Sequence, residues 1–299
     1  NMKHRHLFLA SLLIGTFALA LGIGHPVSAQ AATAKVTPNL SSVVTSTVYS
    51  KKLHLDWNYD VYLPAGYDPS SSKRYPVLYM LHGLYGNHRN LLERFNSQQM
   101  LDGIEHRTNK SMIVVFVDGF NSFYVNQKGG PQVESAIIHD LIPTINKNYK
   151  ISTSVSKHAI GGISMGGSGA ARIALKYPNL FSKAVLISPA VWYSLPKDNP
   201  IRMNMHAFTD GNVSWSTKRY KSLFPTQYMN DASKGVKLYI ESTSSDTTVP
   251  IKNVTHFVKD AKAAGNSTKF IRDSGDNHNW VYWAKAAPKA YTWAINEMN

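Results

Sequence analysis

The sequence predicts an α/β fold: a mostly parallel central sheet, helices on both faces, and an insert over the strand ends. Three observations predict it. Continuous apolar runs, Tyr75–Leu81 and Met112–Val117 among them, read as strands buried on both faces. Segments of helical period alternate with such runs, the pattern of strand–helix–strand units in a mainly parallel sheet. Between two of them, Gly162-Ile163-Ser164-Met165-Gly166 joins an apolar entry to a small-residue exit.

That joint reads as the nucleophile elbow of an α/β-hydrolase, a strand turning sharply into a helix with a serine exposed at the tip. The turn is strained, and only small neighbours let strand and helix approach closely. Gly162 and Gly166 supply that space. With Gly and Ser each near 7% of residues, the bare pattern arises by chance in about one chain of this length in ten. A plain glycine-rich turn is the competing reading, and the rest of the chain decides between them.

A length of 299 residues, 43% of them hydrophobic, suits one large domain or two small ones with a sizeable core. Residues 1–31 read as a cleaved signal peptide. Lys3, His4 and Arg5 form a basic start, Leu7–Ile23 is apolar and uncharged, and Val27-Ser28-Ala29 and Ala29-Gln30-Ala31 offer small residues for cleavage. The apolar run is short for a membrane span. A secreted or cell-surface protein is therefore expected. There is no cysteine, so neither a disulfide framework nor a cysteine nucleophile is available. The net charge is +14, and loss of the leader removes two cations and no acid. The basic residues are scattered rather than run together. That speaks against nucleic acid as a partner and for solubility with loose attraction to an anionic cell wall.

Residues 32–42 form a polar, Thr/Ser-rich flexible lead-in, and the catalytic domain spans 43–299. Val43–Ser50 and Leu53–Leu63 read as two β segments. Alternation from His54 to Leu63 fits a half-exposed antiparallel hairpin, ended by Pro64. Tyr75–Leu81 leads into the loop His82-Gly83-Leu84-Tyr85-Gly86-Asn87, where backbone N–H groups can approach a ligand. Leu91–His106 has a helical pattern. Met112–Val117 ends in Asp118–Tyr124, a loop on the ligand-facing side of an open sheet, which makes Asn121, Ser122 and Tyr124 candidate substrate contacts. Val133–Tyr149 reads as a helix with Pro143 as a kink.

The short strand His158–Ile163, the elbow, the helix Met165–Lys176 and the strand Lys183–Ile187 follow. Residues 190–235 then break the rhythm. They are rich in Trp, Tyr, Phe, Met, Pro and Asn without a clear period, and read as a lid-like insert. Trp192, Tyr193, Met203, Met205, Phe208 and Trp215 either line an apolar acyl or aryl site or form the insert's own small core. Val236–Glu241 is a strand, Ser242–Pro250 a polar loop, Val254–Ala264 a helix and Thr268–Arg272 a last strand. The loop Asp273–Trp280 and a terminal helix to Glu297 close the chain, with Trp280 a further candidate substrate contact.

Serine is a poor nucleophile unless a base takes its proton, and the base needs a carboxylate to hold the right tautomer. In this fold the order is Ser, then Asp or Glu, then His. After Ser164 only His206, His256 and His278 remain. His206 precedes the strand that carries the acid, and His256 sits inside a predicted helix. His278 lies in a Gly/Asp/Asn loop after the last strand, where its ring can reach the elbow. For the acid, Asp246 follows the Val236–Glu241 strand, where the fold places it. Asp273 and Asp276 lie close to His278 in sequence and suit turn formation. Main-chain donors at Leu84 and Met165 are expected to stabilise the oxyanion. No His/Cys/Asp/Glu set has metal spacing, His82 and His88 having no partners at defined offsets. The glycines at 161–169 lack the Gly-Lys-Ser/Thr ending of a phosphate loop. No cofactor or metal is expected.

With these residues in view, the chain resembles the esterase D-type family. The resemblance rests on Tyr75–Gly83, Asp118–Tyr124, Gly162–Gly167 and Asp276–Trp280, in that order, and covers about residues 43–297. That family includes S-formylglutathione hydrolases, feruloyl and acetyl xylan esterases, and mycolyltransferases. The resemblance implies an α/β-hydrolase fold and ester chemistry without metal or organic cofactor. Carried over by position, it implies Ser164 as nucleophile, Asp246 as acid, His278 as base, and Leu84 and Met165 as oxyanion amides. Relatives often carry an aromatic residue after the His-Gly loop, and here Arg89-Asn90-Leu91 stands there. The expected activity is that of a secreted serine carboxylesterase acting on acyl or hydroxycinnamoyl (feruloyl-type) esters, small or carbohydrate-linked. The alternative is a cell-envelope acyltransferase with the same triad and a sugar or polyol acceptor. A non-catalytic binding module would have no need of all three of Ser164, Asp246 and His278.

Overall fold

The structure, a computed structural model, describes residues 40–211 and 214–299. The expected signal peptide and nearly all of the lead-in lie outside the described residues. Eight strands form one sheet in the order β1-β2-β4-β3-β5-β6-β7-β8. They are β1 (Ser42–Ser50), β2 (Leu55–Leu63), β3 (Val77–Leu81), β4 (Ile113–Val117), β5 (His158–Ile163), β6 (Lys183–Ile187), β7 (Lys237–Thr243) and β8 (Thr268–Asp273). β2 pairs antiparallel with β1 and with β4, and all other pairings are parallel. This is the α/β-hydrolase arrangement.

The period of two along each strand distributes side chains to two cores. Val77, Tyr79 and Leu81 of β3 face one core, closed by the helices Val133–Ala136, Met165–Lys176 and Ile251–Ala263. Leu78 and Met80 face the other, closed by Asn90–Arg94, Ser97–Thr108 and Trp280–Met298. Each fully buried aliphatic side chain contributes about 1.5–3 kcal/mol. A sheet covered on both faces explains why its central strands read as unbroken apolar runs.

The local differences from the sequence reading have identifiable causes. β2 is largely buried rather than half-exposed, because both its faces are covered: Trp57, Tyr59, Val61 and Leu63 pack in one core and Tyr62 in the other, and even Asp60 has no exposure. The expected helix 91–106 breaks in two at Asn96, whose φ of 49° is left-handed, a conformation that asparagine tolerates better than most residues. The expected 133–149 helix contains a π-helical turn, Ile137–Leu141, just before Pro143. Proline lacks the N–H that a regular α-turn would use, and the wider turn absorbs that gap. Ser242 and Thr243 belong to β7, since pairing with β8 continues to Thr243 opposite Asp273.

The insert contains the short helices Pro200–Asn204 and Thr217–Ser222, capped by the side chains of Asn199 and Ser216. Phe208 packs against Trp215 and Tyr220, and Tyr193 against Phe224, with ring centroids 5.0–5.7 Å apart. Phe208 and Trp215 thus form the insert's own core. Among the described residues, no helix is long and apolar enough to cross a membrane.

Candidate active site

β5 ends at Ile163 and the next helix begins at Met165, so Ser164 alone makes the turn. Its backbone sits at φ 52°, ψ −116°, a conformation that costs about 1–3 kcal/mol. Neighbours hold it there. Its N–H donates to Ile187 O at 3.0 Å, and its carbonyl accepts from Ser168 and Ala190 N–H, both at 3.0 Å. A Cβ on Gly162 would lie 2.5 Å from Leu81 O, and one on Gly166 would overlap the same carbonyl group. The glycines therefore let the elbow seat directly against the end of β3.

Three chain segments meet at this tip. His278 Nε2 lies 2.7 Å from Ser164 Oγ, and His278 Nδ1 lies 2.7 Å from Asp246 Oδ2. Asp246 Oδ1 accepts the N–H groups of Thr248 at 2.9 Å and Val249 at 2.7 Å. The carboxylate is thus held from both oxygens. A carboxylate at Nδ1 keeps the ring proton on that nitrogen and leaves Nε2 free to accept the serine proton. The rival acids are engaged elsewhere: Asp273 accepts from Tyr282 Oη at 2.9 Å, and Asp276 from Lys285 Nζ at 2.7 Å. His256 is stacked on Tyr193, its Nε2 3.6 Å from Asp260.

The acid and histidine loops are laced together. Asn277 Oδ1 accepts from Thr247 N at 2.8 Å, Thr243 Oγ1 donates to Gly275 O at 2.7 Å, and Gly275 N donates to Ser245 Oγ at 3.0 Å. Behind them, the fully buried Glu241 meets Lys289 Nζ at 2.7 Å and accepts from Tyr239 Oη at 2.5 Å. Burial pushes its carboxyl up to about 7, against the lowering effect of those two hydrogen bonds.

Of the two expected oxyanion amides, Met165 directly follows the serine in the chain. Met165 heads its helix, so its N–H is one of those without an intrahelical acceptor. Leu84 lies on the wall of a cavity of about 530 Å³ that opens over Ser164 and His278. Trp192, Ile201, Met205, Trp280 and Trp283 supply the apolar part of that wall. Trp283 meets the His278 ring edge-on, centroids 5.1 Å apart. Trp192 Nε1 donates to Thr248 O at 2.9 Å and so ties the insert to the acid loop.

Of the expected substrate contacts, Trp192 and Trp280 line this cavity and Asn121 and Tyr124 are not among its lining residues. Tyr124 has no exposure, and its hydroxyl donates to His82 O at 2.8 Å. Asn121 Oδ1 accepts Tyr85 N–H at 2.7 Å. Gly119 N–H donates to His82 Nε2 at 2.9 Å, which leaves the His82 proton on Nδ1, facing Gly83 O at 2.6 Å. The loop after β4 therefore braces the loop that carries Leu84. Its strand-end position suggested ligand contact, and Asn121 and Tyr124 are instead hydrogen-bonded to the neighbouring loop. Ser122, also buried, donates to Gly119 O within its own turn. Within the insert, Met205 joins the cavity wall while Met203 is 69% exposed.

Sequence reasoning missed Ile201, Trp283 and Asn277. Trp283 had a signal, since it follows Trp280 by three residues on a helix and so shares its face. Ile201 and Asn277 had none. His88 and Arg89 also find a partner that spacing did not reveal. His88 Nδ1 lies 2.5 Å from Asp60 Oδ2, and Arg89 Nη1 lies 3.1 Å from Asp60 Oδ1. Among the described residues, no group of three His, Cys, Asp or Glu is placed to hold a metal ion.

The Esterase family model matches residues 50–293. The chain belongs to the Esterase family. It is 34% identical over 137 residues to an endo-1,4-beta-xylanase/feruloyl esterase of Xylanibacter ruminicola, a match over 43% of this chain and 19% of that protein. The chain thus spans only a fraction of that relative's length. It is 24% identical over 233 residues to an acetyl esterase of Caldicellulosiruptor saccharolyticus, covering 74% of this chain and 84% of the relative. Among solved structures, a ferulic acid esterase superposes with a TM-score of 0.73 at 23% identity, over 86% of this esterase and 98% of that chain. At that identity the likeness establishes the shared fold.

Proposed function

We propose that this esterase is an exported serine carboxylesterase with Ser164 as nucleophile, His278 as general base and acid, and Asp246 as the carboxylate that orients it. The observation that carries the reading is the pair of 2.7 Å contacts joining Ser164 Oγ, His278 and Asp246. As Ser164 Oγ attacks the ester carbonyl carbon, its proton passes to His278 Nε2. The carbonyl oxygen becomes an oxyanion facing the N–H groups of Leu84 and Met165. The intermediate collapses by breaking the bond to the alcohol oxygen, which takes the proton from Nε2 and departs. Water then repeats the sequence on the acyl-serine and releases the acid. Imidazolium is stabilised by the buried Asp246 throughout.

The wall of Trp192, Ile201, Met205, Trp280 and Trp283 suits an acyl group with apolar or aromatic surface, such as a hydroxycinnamoyl group. The feruloyl esterase and acetyl esterase relatives support this substrate class. The apolar run and small-residue sites of residues 1–31 support export.

The test is hydrolysis of p-nitrophenyl acetate and methyl ferulate by wild type and Ser164→Ala. Wild-type turnover with loss of about 10⁵-fold or more in kcat for the variant is expected. Equal rates would reject the mechanism. Transfer of the acyl group to an added sugar, with little free acid, would move the reading to acyl transfer.

A further inference from the structure

His278 has to serve two oxygens in turn. Its Nε2 takes the proton of Ser164 Oγ, then gives it to the alcohol oxygen as the bond from the acyl carbon to that oxygen breaks. The 2.7 Å contact to Ser164 Oγ is given up at that point, so it cannot hold the ring through the second transfer. The 2.7 Å contact from Nδ1 to Asp246 remains, and a single hydrogen bond leaves the ring freedom to tilt. Trp283 packs against that ring, edge-on at 5.1 Å with 85° between the planes.

Trp283 is the inner member of a row of packed groups. It meets Trp280 edge-on at 5.1 Å. Trp280 in turn meets Phe95 edge-on at 5.6 Å and lies under the Arg94 guanidinium at 4.8 Å. Arg94 ends the short helix Asn90–Arg94, which follows the loop of Leu84, and Phe95 is its C-cap. The row therefore runs from that helix to the base. Packing, not hydrogen bonding, fixes Trp283. It is 8% exposed, and its Nε1 is buried with no hydrogen-bond partner among the described residues. A buried N–H without an acceptor costs stability, and a phenylalanine here would avoid that cost. The indole is thus poorly explained as a stabilising element. It is better explained as a wall whose shape holds its neighbour.

We infer that Trp283 is a positioning residue: backed by Trp280 and Arg94, it holds the His278 imidazolium in line for proton delivery to the leaving oxygen. The inference rests on the catalytic reading of Ser164 and His278 given above. p-Nitrophenolate departs without a proton, whereas methoxide departs with one, as methanol. The test on the full-length protein is therefore kcat/KM for methyl acetate against p-nitrophenyl acetate. The two esters share one acyl group, so an effect on the acyl wall cancels in their ratio. Trp283→Leu is expected to lower the ratio, methyl over p-nitrophenyl ester, about tenfold or more, the scale of a misplaced base. Arg94 is exposed and is not among the residues lining the cavity over Ser164. Arg94→Ala is expected to lower the ratio about threefold, the scale of an exposed cation–π contact. Trp283→Phe keeps an aromatic wall and is expected to return the ratio close to that of wild type. A ratio unchanged in Trp283→Leu or in Arg94→Ala, or one that Trp283→Phe fails to restore, overturns the inference. Ser164→Ala separates it from the reading beneath it. Methyl acetate hydrolysis by that variant would reject the catalytic assignment. An inactive Ser164→Ala with a fixed ratio in the Trp283 and Arg94 variants would reject the positioning role alone.

Discussion

Asn277 clamps Thr247. Its Oδ1 accepts the Thr247 N–H at 2.8 Å, and its Nδ2 donates to Thr247 Oγ1 at 3.0 Å. The same Oδ1 accepts the His278 N–H at 2.8 Å. One amide side chain thus holds the histidine loop against the turn that carries Asp246. Asn277→Ala is expected to lower kcat about 10- to 100-fold, because a small misplacement of the base is costly in a preorganised site. Steady-state kinetics on p-nitrophenyl acetate, with KM little moved, check it.

Asp60 joins the sheet to the loop after β3. Its fully buried carboxylate meets Thr45 Oγ1 at 2.5 Å, His88 at 2.5 Å and Arg89 at 3.1 Å. Asp60→Ala leaves His88 facing an apolar gap, while the half-exposed Arg89 can return to water. A stability loss of about 2–4 kcal/mol is expected, read by urea denaturation. An unchanged midpoint would show that the cluster is not structural.

Tyr124 is buried and braces the loop after β3. Tyr124→Phe removes one buried hydrogen bond, to His82 O at 2.8 Å, and leaves the ring in place. A loss of about 1 kcal/mol in stability is expected. KM is expected to hold for acetyl and feruloyl esters alike. A KM that rises severalfold would place the residue in the binding surface after all.

Gly166 tolerates no side chain. A Cβ there overlaps the Leu81 carbonyl group, which is fixed in β3 and has no freedom to move. Gly166→Ala is expected to cost more than about 3 kcal/mol or to abolish soluble expression. Gly129, where a Cβ would meet nothing within 4 Å, is a harsher conformational test at φ 70° but no steric one. Gly129→Ala is expected to cost only about 1 kcal/mol. Thermal melts of the pair compare them.

Glu241 makes stability fall with rising pH. Burial raises its carboxyl from 4.5 to about 7 in the folded protein, opposed by Lys289 and Tyr239 and reinforced by Asp273. Between those values the folded state holds more protons than the unfolded one, so stability declines as pH rises. Above about 7 the decline from this group is complete. Glu241→Gln keeps an acceptor for Tyr239 and is expected to flatten the Tm profile between pH 4.5 and 7. A variant profile as steep as wild type would count against this origin.

The order of strands and helices, the elbow at Ser164 and the sequence Ser164, Asp246, His278 were legible in the chain itself. Each is written in local signals: apolar runs of strand length, small residues where backbones touch, and a loop histidine after the last strand. Fully buried strands are easy to read because both faces must be apolar. β2 was misread because Asp60, polar and in step with the exposed Asp56 and Asn58, is buried against His88 and Arg89 rather than facing solvent.

Tertiary structure alone decided what surrounds the serine. Ile201 comes from the insert and Trp283 from the last helix, and the fold brings them to one wall. It also turned Asn121 and Tyr124 into braces and stacked Tyr193 on His256. Such contacts join residues far apart in the chain. Their geometry depends on how whole layers pack, and no local pattern of residue types encodes it.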